Sequence, residues 1–256
     1  MSDLAARAQR LRELHHQAEP LVLPNAWDAA TARAVAEAGF AAVATTSSGV
    51  SAALGYADGE GTPADEMFAA IQRITRVIGD LPVTADIEAG YQLDPAEVAR
   101  RLLATGAVGC NLEDTDHAGG GHGLVAAERQ AERLAAFKRA AREQGVEVVL
   151  NARVDVFLRG SGDSAVDEAI RRARLYLEAG ADSIFPIGVA DEASIIALVE
   201  AIPAPVNVIP GFRGAPGLEH LKALGVRRIS FAGRLFRAFH TDHQQRLAAI
   251  KSWQDI

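Results

Sequence analysis

The sequence predicts an α/β fold, a (β/α)8 TIM barrel with a short N-terminal helix, filling residues 1–256 as a single domain. Three observations point there. Eight short apolar runs rich in Val and Ile recur along the chain, as expected of parallel strands buried on both faces. Helical patterns separate these runs. No shift in composition divides the chain.

The elements follow in order. Leu4, Ala8, Leu11 and Leu14 share one face of an opening helix. After Pro20 come the strand runs LVLPNA, AAVATTSS, LPVTADIE, AVGCNLED, VEVVLNARVD, ADSIFPIG, PVNVIPG and VRRISFAG. Between them, Met67, Phe68, Ile71, Ile74 and Ile78 fall at helical spacing in 63–79. Val166, Ala169, Ile170, Ala173 and Leu177 do so in 163–180. Thr62-Pro63, Asp94-Pro95 and Asp163 read as helix starts. In EAGFAAV, ATGAVGC, EQGVEVV, EAGADSI and ALGVRRI, a glycine ends a helix and leads into the next strand, where a left-handed backbone is required. A doubly wound open sheet is the rival architecture. It would carry a glycine-rich turn after the first strand, and this chain has Pro24-Asn25-Ala26-Trp27-Asp28 there. The barrel is preferred.

Residues 115–126, TDHAGGGHGLVA, form the longest stretch without a helical pattern and follow the fourth strand, on the side where barrel active sites are built. Their glycines and histidines read as a lid. The tail after Phe239 reads as one amphipathic helix.

Composition narrows the function classes. A net charge of −7 without a basic block argues against nucleic acid or an anionic membrane as partner. A lone cysteine, Cys110, rules out an intrachain disulfide framework and a multi-cysteine zinc site, and it suits a reducing cytoplasm. No apolar run has the length of a transmembrane helix, and the charged N-terminus is unlike a secretory signal.

Polar residues interrupt the strands at their carboxyl ends: Thr45 to Ser48, Asp86 and Glu88, Asn111 with Glu113 and Asp114, Asn151 with Arg153 and Asp155, and Asn207. In a barrel these ring one mouth. Asp86 and Glu88, two apart on a strand, are expected to face the same side. Several acids without His or Cys at ligand spacing make a hard-oxygen environment, suited to Mg2+ or Mn2+ held partly through water. Arg153 can pair with a substrate carboxylate bidentately. The plain alternative is that these charges only neutralise one another.

The order NAWDAATARAVAEAGFAAVATTSSGVSAALGYADGE, PVTADIEAGY, GAVGCNLED, NARVD, ADSIFPIG and GVRRISFAG resembles the isocitrate lyase/phosphoenolpyruvate mutase superfamily over roughly residues 20 to 238. The resemblance implies a TIM barrel that uses Mg2+ or Mn2+ to hold a small 2-oxo or 2-hydroxy acid and makes or breaks a C–C or P–C bond beside an enolate. It also implies a homodimer or homotetramer that exchanges the last helix. Carried over by position, it makes Asp86 the metal's nearest protein group, assisted through water by Asp58, Glu88 and Glu113. Thr46, Ser47, Ser48 and Gly49 would bind the substrate carboxylate, Arg153 would hold that carboxylate or the 2-oxygen, and Tyr91 and Asn207 would line the pocket.

The departures bear on the reaction. The family's lyases carry a Lys-Lys-Cys-Gly-His or Lys-Arg-Cys-Gly-His lid, whose Cys is the acid/base. Here the lid reads Thr115-Asp116-His117-Ala118-Gly119-Gly120-Gly121-His122-Gly123, without Cys or Lys. Cys110 lies earlier and reads as a small buried residue. His117 and His122 are the candidates for proton transfer. Their alternative is two solvated loop histidines, and His15, His16, His220, His240 and His243 are expected on outer helices. Three readings stand: a C–C lyase, a decarboxylase or phosphonopyruvate-type enzyme, and a 2-oxo acid binding protein without turnover.

Overall fold

Runs that are apolar on both faces pair best with one another. In the computed structural model, which describes residues 3–120, 123–160 and 162–253, they form a ring. Its strands are β1 (Leu21–Leu23, resumed at Asn25–Ala26), β2 (Val43–Thr45), β3 (Val83–Asp86), β4 (Gly109–Glu113), β5 (Val149–Arg153), β6 (Ser183–Phe185), β7 (Asn207–Val208) and β8 (Arg228–Ser230). Every ladder among them is parallel. Pro24 splits β1: residues before it pair with β8 and residues after it with β2, because proline has no N–H for a ladder. The Ile184–Val206 bridge joins β6 to the approach of β7 and closes the circle.

The helices are α1 (Asp3–Leu14), α2 (Ala29–Glu37), α3 (Ser47–Leu54), α4 (Ala64–Thr75), α5 (Pro95–Thr105), α6 (Ala127–Glu143), α7 (Asp163–Glu178), α8 (Glu192–Ala201), α9 (Leu218–Ala223) and α10 (Arg234–Lys251). Asp94 caps α5 by accepting from the Ala96 N–H, with Pro95 as first helical residue. Gly39, Gly106, Gly145, Gly180 and Gly225 all take positive φ at helix ends, as expected. Two starts differ. Gly162 is the cap of α7 and Asp163 its first helical residue, while α4 stops at Thr75 and leaves Ile78 buried in the following turn. No helix among the described residues is long and apolar enough to cross a membrane.

Strand alternation sends Val83, Ala85, Cys110, Leu112, Leu150 and Ala152 outward to the helices, where all are buried. Many of the inward positions are polar, although Leu21, Leu23, Ala44 and Phe185 also face inward. Asn151 donates to Asn111 and accepts from Ser183, and Asn207 donates to Ser230. At the amino end α1 plugs the barrel: Leu11 packs so close to Gly109 that an added Cβ would lie 2.7 Å from its Cδ2. Above it Arg228 is fully buried, 2.8 Å from His15 Nε2 and 3.2 Å from Thr84 Oγ1. His15 Nδ1 lies 2.7 Å from the Leu11 carbonyl, so the neutral ring donates there and accepts from Arg228. His15 is therefore an interior residue, against expectation, because α1 folds across the barrel floor instead of lying outside it. Burial, with the Arg228 charge, lowers its pKa from 6.5 to about 3, and burial lowers that of Arg228 to about 9.

The sign of the pH effect follows. Folded His15 stays neutral while the unfolded chain takes up a proton near pH 6.5, so stability is full above that value and falls as pH drops toward 3. At pH 5 the loss is on the order of 2 kcal/mol. Urea midpoints at pH 7 and pH 5 will show this drop, and His15→Gln, which keeps an acceptor but cannot titrate, will shrink it.

Candidate active site

The site begins where β3 ends. The Asp86 N–H donates to Thr45 Oγ1 at 2.9 Å, which ties the end of β3 to β2. Asp86 Oδ2 accepts from the Ser47 N–H at 3.1 Å and the Ser47 hydroxyl at 2.9 Å. Those donors stand there because α3 starts at Ser47, and its first-turn N–H groups have no partner within the helix. Asp86 Oδ1 is buried and accepts no hydrogen bond from the described residues. The Ser47 hydroxyl also lies 3.2 Å from Asp58 Oδ1, which brings the two acids together. Burial, then the Asp86 charge, raises the Asp58 pKa.

Glu88 does not share a strand face with Asp86. The strand stops at Asp86, and Glu88 takes a left-handed φ of 50°, an uncommon conformation for a residue with a side chain. Its carboxylate accepts from the Glu60 N–H and, at 2.9 Å, from the Tyr91 hydroxyl. Burial is the main reason its pKa rises to about 7. Tyr91, also left-handed, packs against Phe68 and its N–H donates to Glu60. Tyr91 thus supports Glu88 and does not line the cleft.

Opposite stands Glu113, at the end of β4, in contact with two cationic groups. One carboxylate oxygen is 2.6 Å from His117 Nε2 and the other pairs with Arg153 Nη1. Arg153 also forks onto Asp155, Nε to Oδ1 at 2.7 Å and Nη2 to Oδ2 at 2.8 Å. Burial pushes the Glu113 carboxyl upward, and the bond to Glu113 raises His117. Arg153 is desolvated, but Glu113 and Asp155 outweigh that and hold its pKa above the usual range. The expected lid loop is a short antiparallel hairpin, Thr115–Asp116 against Gly123–Leu124, which delivers His117 to Glu113. His122 lies outside the described residues. Cys110 is fully buried, and burial raises its thiol pKa, which fits a packing residue.

A cleft of about 190 Å³ collects Ser47, Asp58, Glu88, Glu113, His117 and Arg153, with Thr115, Asp155 and Arg159 beside them. Asp86 sits behind Ser47. Thr46, Ser48 and Gly49 form the cap and first turn of α3, where Gly49 is packed so tightly that a Cβ would fall 2.7 Å from Thr46 Cγ2. Asn207 lies apart, inside the barrel, with Oδ1 buried and without a partner among the described residues. Sequence reasoning gave no site role to Asp155, Thr115 or Glu60. Asp155 carried a signal, its spacing of two from Arg153, whereas Thr115 and Glu60 are brought in by the hairpin and by the turn after Asp58.

Among the described residues no three His, Cys, Asp or Glu side chains form a ready ligand cage for a metal ion. The donor set suits a different mode. Asp86 presents one unpartnered oxygen with Asp58 close by, as a hard cation such as Mg2+ needs when it keeps most of its waters.

Residues 11–251 match the phosphoenolpyruvate phosphomutase family. An uncharacterized protein of Mycobacterium tuberculosis is 35% identical over 236 residues, covering 89% of this chain and 85% of its own. The 2-methylisocitrate lyase of Bacillus subtilis is 30% identical over 207 residues, 78% of this chain and 65% of the lyase. A Burkholderia cenocepacia crystal structure provisionally described as a phosphonomutase superposes with a TM-score of 0.84 at 40% identity, covering 96% of this chain and 99% of that one. The structure of oxaloacetate acetylhydrolase superposes with a TM-score of 0.84 at 25% identity, covering 96% and 87%. With nearly its whole length matched, the chain belongs to the phosphoenolpyruvate phosphomutase family, within the isocitrate lyase/PEP mutase superfamily of lyases and mutases.

Proposed function

We propose that this chain is a Mg2+- or Mn2+-dependent lyase that cleaves a C–C bond of a small 2-hydroxy or 2-oxo carboxylate through an enolate. The observation that carries the reading is the buried oxygen of Asp86, without a partner among the described residues, beside Asp58, which shares a cleft with Arg153. Asp86 would hold the cation directly, with Asp58, Glu88 and Glu113 acting through water. When bound, the cation supplies positive charge where the enolate develops. Arg153 has five N–H groups; its contacts with Glu113 and Asp155 leave donors for a substrate carboxylate. The first-turn N–H groups of Ser48 and Gly49, and the hydroxyls of Thr46 and Ser48 lying 3.1 Å apart, offer further donors for that carboxylate. His117, reaching into the cleft from the hairpin, is placed to move the proton.

A decarboxylase reading has its own support: the lid has no Cys or Lys, and loss of CO2 needs no lid base to begin. A panel of hydroxy and oxo acids with Mg2+ separates the two. Pyruvate or glyoxylate release from a hydroxy acid supports the lyase, and CO2 release from oxaloacetate supports the decarboxylase. Tight binding without turnover would leave a binding protein.

The family's oligomeric habit belongs to the same reading. α10 has no buried residue and exposes Leu235, Phe239, Leu247 and Ile250, a face we assign to a second copy of this chain. Light scattering on Leu247→Glu/Ile250→Glu will then report a smaller particle than the parent protein.

Two variants test the site. Asp86→Ala will abolish Mg2+-dependent binding of oxalate, a chelating enolate mimic, in calorimetry; unchanged binding would refute the metal site. His117→Gln will lower kcat by roughly 10²-fold on the substrate found, while oxalate affinity stays within about threefold. An unchanged kcat would mean that the proton moves through another group.

A further inference from the structure

Behind the cleft lies a buried charge chain that none of the roles above uses. Asp114, the residue after β4, is fully buried. Its Oδ1 accepts the Asp155 N–H at 2.9 Å. Its Oδ2 accepts from the Tyr176 hydroxyl at 2.7 Å and from Arg172 Nη1 at 2.9 Å, both on α7. Arg172 Nη1 is also 2.9 Å from the carbonyl of Val125, and the Val125 N–H donates to the Asp114 carbonyl at 2.8 Å. Asp155, held by Asp114, accepts the Thr115 hydroxyl at 2.5 Å while it grips Arg153.

The connectivity is specific. Thr115 begins the first strand of the lid hairpin and Val125 follows the second, so one buried unit fastens both stems. The same unit sets the aspartate that orients Arg153. None of Asp114, Arg172 or Tyr176 lines the cleft. Burying a second acid beside Asp155 costs several kcal/mol unless cations and donors answer it. That cost is out of proportion to the needs of packing alone, since an apolar trio of similar shape would fill the same space.

We infer that Asp114, Arg172 and Tyr176 are positioning residues, which couple the outer helix α7 to the lid stems and to the orientation of the Arg153 guanidinium. The unit locks the Asp155 backbone and with it the geometry that Arg153 offers a carboxylate. The part concerning substrate rests on the function proposed above. The part concerning the lid does not.

The test uses the full chain with Mg2+. Tyr176→Phe removes one hydroxyl and little volume, and Arg172→Met is compared with Arg172→Lys, which retains a charged donor. Oxalate binding is measured by calorimetry and lid opening by thermolysin cleavage before Leu124. Lys138→Met serves as control, because it breaks a part-buried pair with Asp182 at the opposite end of the barrel. Tyr176→Phe and Arg172→Met should weaken oxalate by about tenfold and speed cleavage at least severalfold, with partial recovery in Arg172→Lys. Lys138→Met should lower Tm with neither effect. If Tyr176→Phe and Arg172→Met lower Tm but leave cleavage and oxalate affinity as in the parent, the unit is structural only and the inference fails. If the parent protein binds no oxalate, the functional reading fails, and cleavage still decides whether the unit holds the lid.

Discussion

The pairing of Arg153 with Glu113 and Asp155 is the constraint around which the mouth of the barrel is arranged. Asp58, Asp86, Glu88, Glu113 and Asp155 converge there, most of them buried, and Arg153 is the guanidinium in contact with two of them. Arg153, His117 and Arg159 line the same cleft, and the acids still outnumber them. Burial is the main reason that the pKa values of Asp58, Glu88 and Glu113 are raised, and neighbouring carboxylates add to it. Such a concentration of uncompensated carboxyl groups works against folding and is the kind of cost found at functional sites. A divalent cation at Asp86 would relieve it where the unpartnered oxygen stands.

The barrel keeps this arrangement rigid by dividing labour between its faces. Outward strand positions are apolar and bind the helices, while inward positions carry a polar column from Arg228 at the floor to Arg153 at the mouth. The two ends solve the same problem differently. At the floor Arg228 pairs with no carboxylate among the described residues and is held by a neutral histidine, a threonine and the closing helix α1. At the mouth the guanidinium faces carboxylates and a cleft. Only the second leaves charge for a ligand to answer.

Much of this was legible in the chain. The eight Val- and Ile-rich runs, the five helix-ending glycines and the polar residues at strand ends are local signals, and the fold reproduces them. What was not legible depends on where a backbone turns. Asp86 and Glu88 read as one strand face, but the chain leaves the strand after Asp86, and a left-handed Glu88 reaches Glu60 and Tyr91 instead. His15 read as a surface residue because a helix pattern does not reveal which end of a barrel the helix closes. Residues 115–126 read as an open loop because a two-residue hairpin strand leaves almost no periodicity.

The lid shows why scaffold and reaction are separable in this molecule. Its stems, Thr115 and Val125, are tied to Asp155, Asp114 and Arg172, so their positions follow from the buried framework. Its tip, which carries His117, touches that framework through Glu113. On the proposed function, a change at the tip would alter which group meets the reacting carbon while the stems stay tied to the framework. On the function proposed above, a chain could in this way keep the site around Arg153 while its lid lacks the Cys and Lys that the resemblance leads one to expect. If His117 moves the proton as proposed, selection of the bond that breaks would rest on the few side chains of one hairpin.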